Sequence, residues 1–211
     1  QQAPAAGASP VRAEPGIEVK PAGPTAAQRI SEIRKVKIRR EKCEVPVYEV
    51  KLGATKAEGG TRGRTYKVGG AGCMPFHLWE GQMRNRPLVA LEVFDEVSDK
   101  YPASLRNIYG KLLDNPAEMA KVCVDKYGAD LISVRLEGTH PEKGNKSAQQ
   151  AVDLVKSVLE AVDVPLIIMG HNHFDKNNEV LKAVAQACAG ENLLLSWVEQ
   201  NNYRTIAGAA I

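Results

Sequence analysis

The chain has 211 residues, 44% hydrophobic and 25% charged, the composition of a globular protein that can bury a core without covalent staples. It holds no apolar run of about eighteen residues and no charged start followed by an apolar stretch, which excludes a membrane-spanning helix and a signal peptide and predicts a cytoplasmic location. The net charge of +3 is unevenly spread: residues 1–86 carry sixteen Lys/Arg against eight Asp/Glu, and residues 87–211 carry twelve against seventeen.

Residues 1–24 contain five of the twelve prolines and no apolar periodicity, so a leader that tethers rather than folds is expected. From Thr25 a weak helical spacing (Ala26, Ile30, Ile33) runs into the basic stretch Arg29–Lys42, and residues 25–44 are assigned to a basic helix or linker. That stretch has no aromatic residue to stack on a base, so it predicts no nucleic-acid partner; a solvated face is the ordinary reading and an acidic protein partner the other. Residues 45–72 alternate around a Gly-rich turn at 58–63 and predict a β-hairpin. Gly69-Gly70 and Gly72 follow it without the spacing of a phosphate loop and are expected to reverse the chain.

The main domain, residues 73–211, opens its first strand at Leu88–Phe94, a near-continuous apolar run of the kind that a strand buried on both faces requires. Asn115 as N-cap, Pro116 at the first helical position and Glu118 in a capping-box position predict a helix with Met119, Val122, Cys123 and Tyr127 on one face. The cycle repeats as strand 130–136, a helix over 147–161 with Val152, Val155, Leu159 and Val162 inward, and strand 165–169. A helix over 175–189 follows with Val180, Leu181, Val184 and Cys188 inward, then strand 192–198 and the start of another helix near Tyr203.

Strands alternating with amphipathic helices predict an α/β fold with a parallel sheet. The fold class expected is a parallel (β/α)8 TIM-type barrel of which the first four β/α units are present, preceded by the β-hairpin; four strands do not close a barrel, so the covered sequence is expected to be part of a longer protein. An open doubly wound sheet is the alternative, and the first strand-to-helix turn lacks its glycine fingerprint.

The four cysteines (Cys43, Cys73, Cys123, Cys188) lie 30 or more positions apart, without the clustered spacing of iron-sulfur or zinc sites, and no iron-sulfur cluster is expected in this chain. Cys123 and Cys188 fall at core positions and are expected as buried free thiols.

In a parallel barrel the C-terminal strand ends line one mouth. Here they are polar: Asp95 and Glu96 after the first strand, Arg135, Glu137, Gly138, Thr139 and His140 at the second, Gly170, His171, Asn172 and His173 after the third, and Glu199, Gln200, Asn201 and Asn202 after the fourth. His171-Asn172-His173 invites a metal site with Glu199 or Asp95, but loop His-x-His pairs are common without one, and no metal is expected. Asn172, Asn201 and Asn202 each offer a donor and an acceptor to amide or lactam edges, while capping is the ordinary role of an asparagine near a helix start. No nucleophile with a base and an orienting group is visible, so no catalytic residue is assigned. The candidate ligand-facing rim is Arg135, His171, Asn172, Glu199, Asn201 and Asn202.

Several segments together carry a resemblance: Thr65-Tyr66-Lys67-Val68-Gly69-Gly70, Pro75-Phe76-His77, the run from Asn85 to Asp95, Gly170-His171-Asn172 followed by Asp175 to Leu181, and Gly190 through Tyr203. Over roughly residues 45–211 the chain resembles the delta, or small, subunit of the corrinoid iron-sulfur protein of acetyl-CoA decarbonylase/synthase. The resemblance does not extend to residues 1–24. It implies a barrel subunit paired with a large (gamma) corrinoid and iron-sulfur subunit, the two enclosing a shared corrinoid (cobamide). A methyl group then passes from methyltetrahydropterin through cobalt to the acetyl-CoA synthase component, in the reductive acetyl-CoA (Wood-Ljungdahl) pathway or in acetyl-CoA cleavage. Carbon monoxide dehydrogenase and methyltransferase components are the other implied partners, and the chain itself is implied to be scaffold and cap. The alternative is a corrinoid methyltransferase barrel that binds methyltetrahydropterin itself, with Asp95 or Glu199 as the carboxylate facing the pterin. A lyase or aldolase barrel would want a strand-end lysine, which the four strands do not supply.

Overall fold

The computed structural model describes residues 39–41 and 43–211, and Lys42–Ile211 form one compact unit. The expected leader, and the basic stretch up to residue 38, lie outside the described residues. Strands β1 (Val50–Leu52) and β2 (Tyr66–Val68) pair antiparallel, Val50 opposite Val68 and Leu52 opposite Tyr66. Then follow β3 (Ala90–Phe94), α1 (Ala103–Tyr109), a 3-10 turn (Gly110–Asp114), α2 (Pro116–Asp125), β4 (Leu131–Arg135), α3 (Ala148–Ala161), β5 (Leu166–Met169), α4 (Phe174–Ala187), β6 (Leu194–Ser196) and α5 (Tyr203–Ala210). Among the described residues no helix is long and apolar enough to cross a membrane.

Strands β3 to β6 form one parallel sheet in sequential order. Helices α2, α3, α4 and α5 each pack against the next, so they form one layer on one face of the sheet. A doubly wound sheet would divide them between two faces. The strand residues aimed at this layer (Val93, Ile132, Val134, Leu166, Ile168) join Met119, Val155, Val158, Val180, Leu181 and Val184 in one core. Each such buried aliphatic side chain contributes up to about 1.5–3 kcal/mol.

The caps follow from local chemistry. Asn115 accepts from the Glu118 N–H at 3.3 Å with Pro116 at the first helical position. Ser147 and Gln150 form a reciprocal capping box at the start of α3, with bonds of 3.2 and 2.8 Å. The expected core faces of α3 and α4 are observed, and the free thiols of Cys123 and Cys188 are buried.

Two expectations need correction. The core face of α2 is Met119, Ala120, Cys123 and Val124, whereas Val122 is only half-buried and Tyr127 is exposed, set edge-to-face against Tyr109 beyond the end of the helix. Strand β3 is not buried on both faces: Val93 is buried, but Val89 and Ala90 are exposed. It is an edge strand that pairs with β4 alone among the described residues, and its second face looks away from the helix layer. Helix α1 and the 3-10 turn were not expected; neither buries a residue, so no apolar stripe marks them in the sequence.

The segment between β1 and β2 crosses the N-terminal ends of the sheet strands. Gly53 N–H donates to the Asn192 carbonyl ahead of β6, and Gly63 and Arg64 N–H both donate to the Asp163 carbonyl ahead of β5, each at 3.0 Å. Arg62 is buried there. Its guanidinium donates to the Glu191 carboxylate (3.0 Å), to the Leu159 (2.7 Å) and Val162 (2.6 Å) carbonyls at the end of α3, and to the Val164 carbonyl (3.3 Å). A cation thus satisfies carbonyls that a helix end leaves open, where the helix dipole favours positive charge. The hairpin segment seals one end of the sheet, and the other end is free to carry a site.

Candidate functional site

The four loops that leave the C-terminal strand ends meet at the end of the sheet opposite Arg62. His140, His171 and His173 gather there, with ring centroids 5.1 Å (His140 to His171), 5.9 Å (His140 to His173) and 6.5 Å (His171 to His173) apart. Their protonation follows from the backbone. In each ring Nδ1 accepts a main-chain N–H: from Glu142 at 3.1 Å for His140, from His173 at 3.2 Å for His171, and from Lys176 at 3.4 Å for His173. An accepting Nδ1 carries no proton, so each neutral ring holds its hydrogen on Nε2.

His171 is buried and fully satisfied. The Thr139 hydroxyl gives its hydrogen to the Leu136 carbonyl at 2.8 Å, which leaves its oxygen to accept from His171 Nε2 at 3.0 Å. Burial first, then the neighbouring His140 and His173, pull the pKa of His171 down to about 4. With both nitrogens of His171 engaged, His171 and His173 do not present a pair of free metal-binding nitrogens. Among the described residues no group of three or more metal-ligating side chains converges.

Asn177, in the first turn of α4, is a buried asparagine whose Oδ1 accepts from His171 N–H (3.2 Å) and whose Nδ2 donates to the Trp197 carbonyl (3.3 Å). The same carbonyl accepts from Asn202 Nδ2 at 3.4 Å, and Asn202 Oδ1 accepts from Glu199 N–H at 2.6 Å. The two asparagines therefore tie the β5 and β6 loops together through one carbonyl. Trp197 adopts φ 69°, a left-handed conformation rare for a bulky residue and held here by those bonds. Gly170 is required by the same contact, since a Cβ at that position would sit 1.8 Å from Asn177 Oδ1.

Around the histidines lies a cavity of about 340 Å³ lined by Glu137, His140, Lys143, His171, Asn172 and Trp197 among others. The Trp197 indole N–H is buried and has no hydrogen-bond partner among the described residues. Roomier cavities of about 600 and 550 Å³ lie at the opposite end, the first by the hairpin and the second by Arg62, and one of about 610 Å³ lies after β3 beside Asp95, Glu96 and Arg106. The 550 Å³ cavity borders Arg62, a structural cation already spent on helix carbonyls, whereas the cavity at the histidines gathers polar groups that a ligand can use.

The rim residues separate into three groups. His171 and Asn172 border the cavity, His171 buried and Asn172 exposed. Arg135 reaches it indirectly: it donates to Glu92 at 2.9 Å and to Glu137 at 3.2 Å, Glu137 also pairs with Lys143, and the guanidinium lies 5.9 Å from the Phe94 ring centroid. Burial pushes the Glu137 carboxyl up, but Lys143 and Arg135 outweigh it and hold its pKa below the ordinary value. Glu199 and Asn201 are exposed on the β6 loop outside the cavity lining, and Asn202 is buried as a loop tie, not a surface group. It occupies the N-cap position of α5 without a side-chain capping bond.

The side chain of Asp95 is buried too, although the residue as a whole is half-buried. Its carboxylate accepts from the Gly138 N–H at 2.8 Å, and Lys146 lies 3.5 Å away. Burial raises its pKa, with the Gly138 N–H and Lys146 pulling the other way. Gly69 and Gly70 adopt φ 89° and 73° and reverse the chain as expected. Sequence reasoning missed Asn177 and Trp197 altogether. Asn177 carried a usable signal, a polar residue three and four positions before the core residues Val180 and Leu181.

A family model described as CO dehydrogenase/acetyl-CoA synthase delta subunit matches residues 49–211. Acetyl-CoA decarbonylase/synthase complex subunit delta of Archaeoglobus fulgidus is 35% identical over 96% of this chain and 47% of that protein. Subunit delta 1 of Methanosarcina thermophila is 39% identical over 78% of this chain and 38% of its own length. Subunit delta of Methanothermobacter thermautotrophicus is 32% identical over 92% of this chain and 51% of its own length. The chain thus spans about half, or less, of the length of these relatives.

Proposed function

This chain belongs to the CO dehydrogenase/acetyl-CoA synthase delta subunit family, and from that premise we propose that it serves as the small subunit of a corrinoid iron-sulfur protein. In this reading it pairs with a large corrinoid-binding subunit that holds the iron-sulfur cluster. The methyl group travels from methyltetrahydropterin to the acetyl-CoA synthase component, and the present chain is scaffold and cap over the cobamide. Residues 1–24 are then a leader, 25–44 a basic helix or linker, 45–72 the hairpin and 73–211 the first half of a (β/α)8 barrel.

The observation that carries the reading is the set of uncharged hydrogen-bonding groups at the strand-end mouth, where Glu137 and Lys143 pair with each other and Glu142 adds an exposed carboxylate. A cobamide is edged by carboxamides, which need donors and acceptors without net charge, and the mouth offers His140 and His173 Nε2–H and the Asn172 amide. The partly buried Arg135 and Lys146 nearby are already paired with Glu92, Glu137 and Asp95. Asn172 and His140 would hold a carboxamide edge; Asn177, Asn202 and His171 position the loops that bear them. When bound, the cobamide supplies the cobalt that carries the methyl group. The chain's own part is to orient that ligand and exclude water.

The reading of a pterin-binding methyltransferase has less support, because Asp95 is buried beneath Gly138 and Lys146 and Glu199 stands outside the cavity. The test is to co-purify the full-length protein with its large partner and measure cobamide content. Asn172→Ala is expected to lower cobamide retention several-fold, with assembly intact. Unchanged retention and an unchanged methyl-transfer rate would remove Asn172 from the site.

A further inference from the structure

Residues 72–82 form a closed loop. An isolated antiparallel bridge joins Ala71 to Met83, and Gly72 N–H donates to the Gln82 carbonyl at 2.9 Å. Inside it, His77 N–H donates to the Met74 carbonyl (3.0 Å) and Glu80 N–H to the His77 carbonyl (2.9 Å), while the His77 ring stacks on Trp79 with centroids 4.8 Å apart. A loop so tied ordinarily packs its apolar side chains inward on itself. This one turns them out: Met74 is 67% exposed, Phe76 89%, Leu78 64%, Trp79 41% and Met83 39%.

Phe76 is held at φ 66°, a conformation that a bulky residue adopts only where its surroundings impose it. The neighbouring strip, joined through Val47 N–H to the Ala71 carbonyl at 2.9 Å, adds Val45, Val47 and Tyr48, all exposed. Aromatic and methionine side chains gathered in a rigid loop are the composition of an interface anchor. Charge marks the occupant. Five of the seven Lys/Arg in residues 45–86 are already paired with carboxylates of the chain, Lys51 with Glu58, Arg62 with Glu191, Arg64 with Asp163, Lys67 with Glu49 and Arg86 with Asp130, so the free charge beside the loop is that of Arg84. Arg84, one residue beyond the bridge, is exposed and makes no ion pair among the described residues.

We propose that the 72–83 loop is a docking surface for another protein subunit that presents an apolar pocket edged by carboxylates, with Phe76 and Leu78 as the inserted side chains and Arg84 meeting the acidic edge. This rests on the reading of the chain as a subunit of a larger complex. It places the contact on a loop outside the strand-end rim.

The experiment uses the full-length protein and the other purified subunits of an acetyl-CoA decarbonylase/synthase complex from the same organism. Wild type should assemble with them, and hydroxyl-radical footprinting should show Met74, Phe76 and Trp79 readily oxidised in the protein alone and protected in the assembly. The double variant Phe76→Asp with Leu78→Asp should weaken association at least about thirtyfold, as expected for the loss of an interface anchor, with an unchanged thermal midpoint. Arg84→Glu should weaken it less and flatten its decline with added salt, and a salt dependence equal to that of wild type would overturn the acidic edge.

If wild type assembles and the double variant binds equally well, the loop is not the docking surface. If wild type fails to assemble, the subunit reading itself fails. Three other occupants would overturn the proposal: a second copy, shown by dimers of the protein alone that the double variant abolishes; a lipid surface, shown by flotation with anionic phosphatidylglycerol vesicles; and the chain's own first 38 residues, shown by footprinting protection that vanishes when they are deleted.

Discussion

His171 is a buried imidazole that the fold needs in its neutral form, since its Nδ1 accepts from His173 N–H and its Nε2 donates to Thr139. Its folded pKa of about 4 lies below the ordinary 6.5, so the unfolded chain binds the extra proton first. Stability from this site is complete above about pH 6.5 and declines as the pH falls from 6.5 toward 4. Urea denaturation at pH 7 and pH 5 should show the decline, and nitrogen NMR should find the Nε2–H form of His171 throughout the range above pH 5. Protonation of His171 near pH 6.5 would refute the assignment. Gly170 offers a second test. Gly170→Ala sets a Cβ against Asn177 Oδ1 and is expected to cost about 2–4 kcal/mol, as clashes and broken buried networks do. Adding Asn177→Ala should restore part of that loss, because the two changes act on one contact.

At the scale of elements, the β/α alternation was legible because each buried helix face and each capping residue signals locally. Ser147 and Asn115 begin their helices as their chemistry directs, and Ser147→Ala should cost about 1 kcal/mol by thermal melting. Helix α1 was illegible since it buries nothing. Arg62 was illegible for another reason: its partners at Leu159, Val162 and Glu191 lie about a hundred residues or more along the chain, and no local pattern announces them. Arg62→Met leaves the Glu191 carboxylate unpaired among buried carbonyls, and a loss of about 3–5 kcal/mol is expected in urea denaturation. Pairing it with Glu191→Gln should recover part of the loss. The rim was legible in position and only partly in role. His171, Asn172 and Arg135 come to the strand ends as the periodicity directs, whereas the inward turn of Asn202 depends on the left-handed Trp197 five residues earlier, whose conformation no local pattern announces.

For the molecule as a whole, one end of the parallel sheet is sealed by the hairpin segment and its buried arginine, and the other gathers neutral hydrogen-bonding groups over a cavity. At that mouth Arg135, Glu92, Glu137 and Lys143 are paired with one another, and Glu142 is exposed at the cavity. The neutral groups there are the ones to which the proposed ligand-holding role is assigned. The most direct measurement is the rate of methyl transfer from methyltetrahydropterin to free cobalamin by the full-length protein alone, set beside the same rate for its assembly with the large subunit and the methyltransferase component. The account predicts no rate above the uncatalysed background for the protein alone and transfer in the assembly; transfer by the protein alone would contradict it.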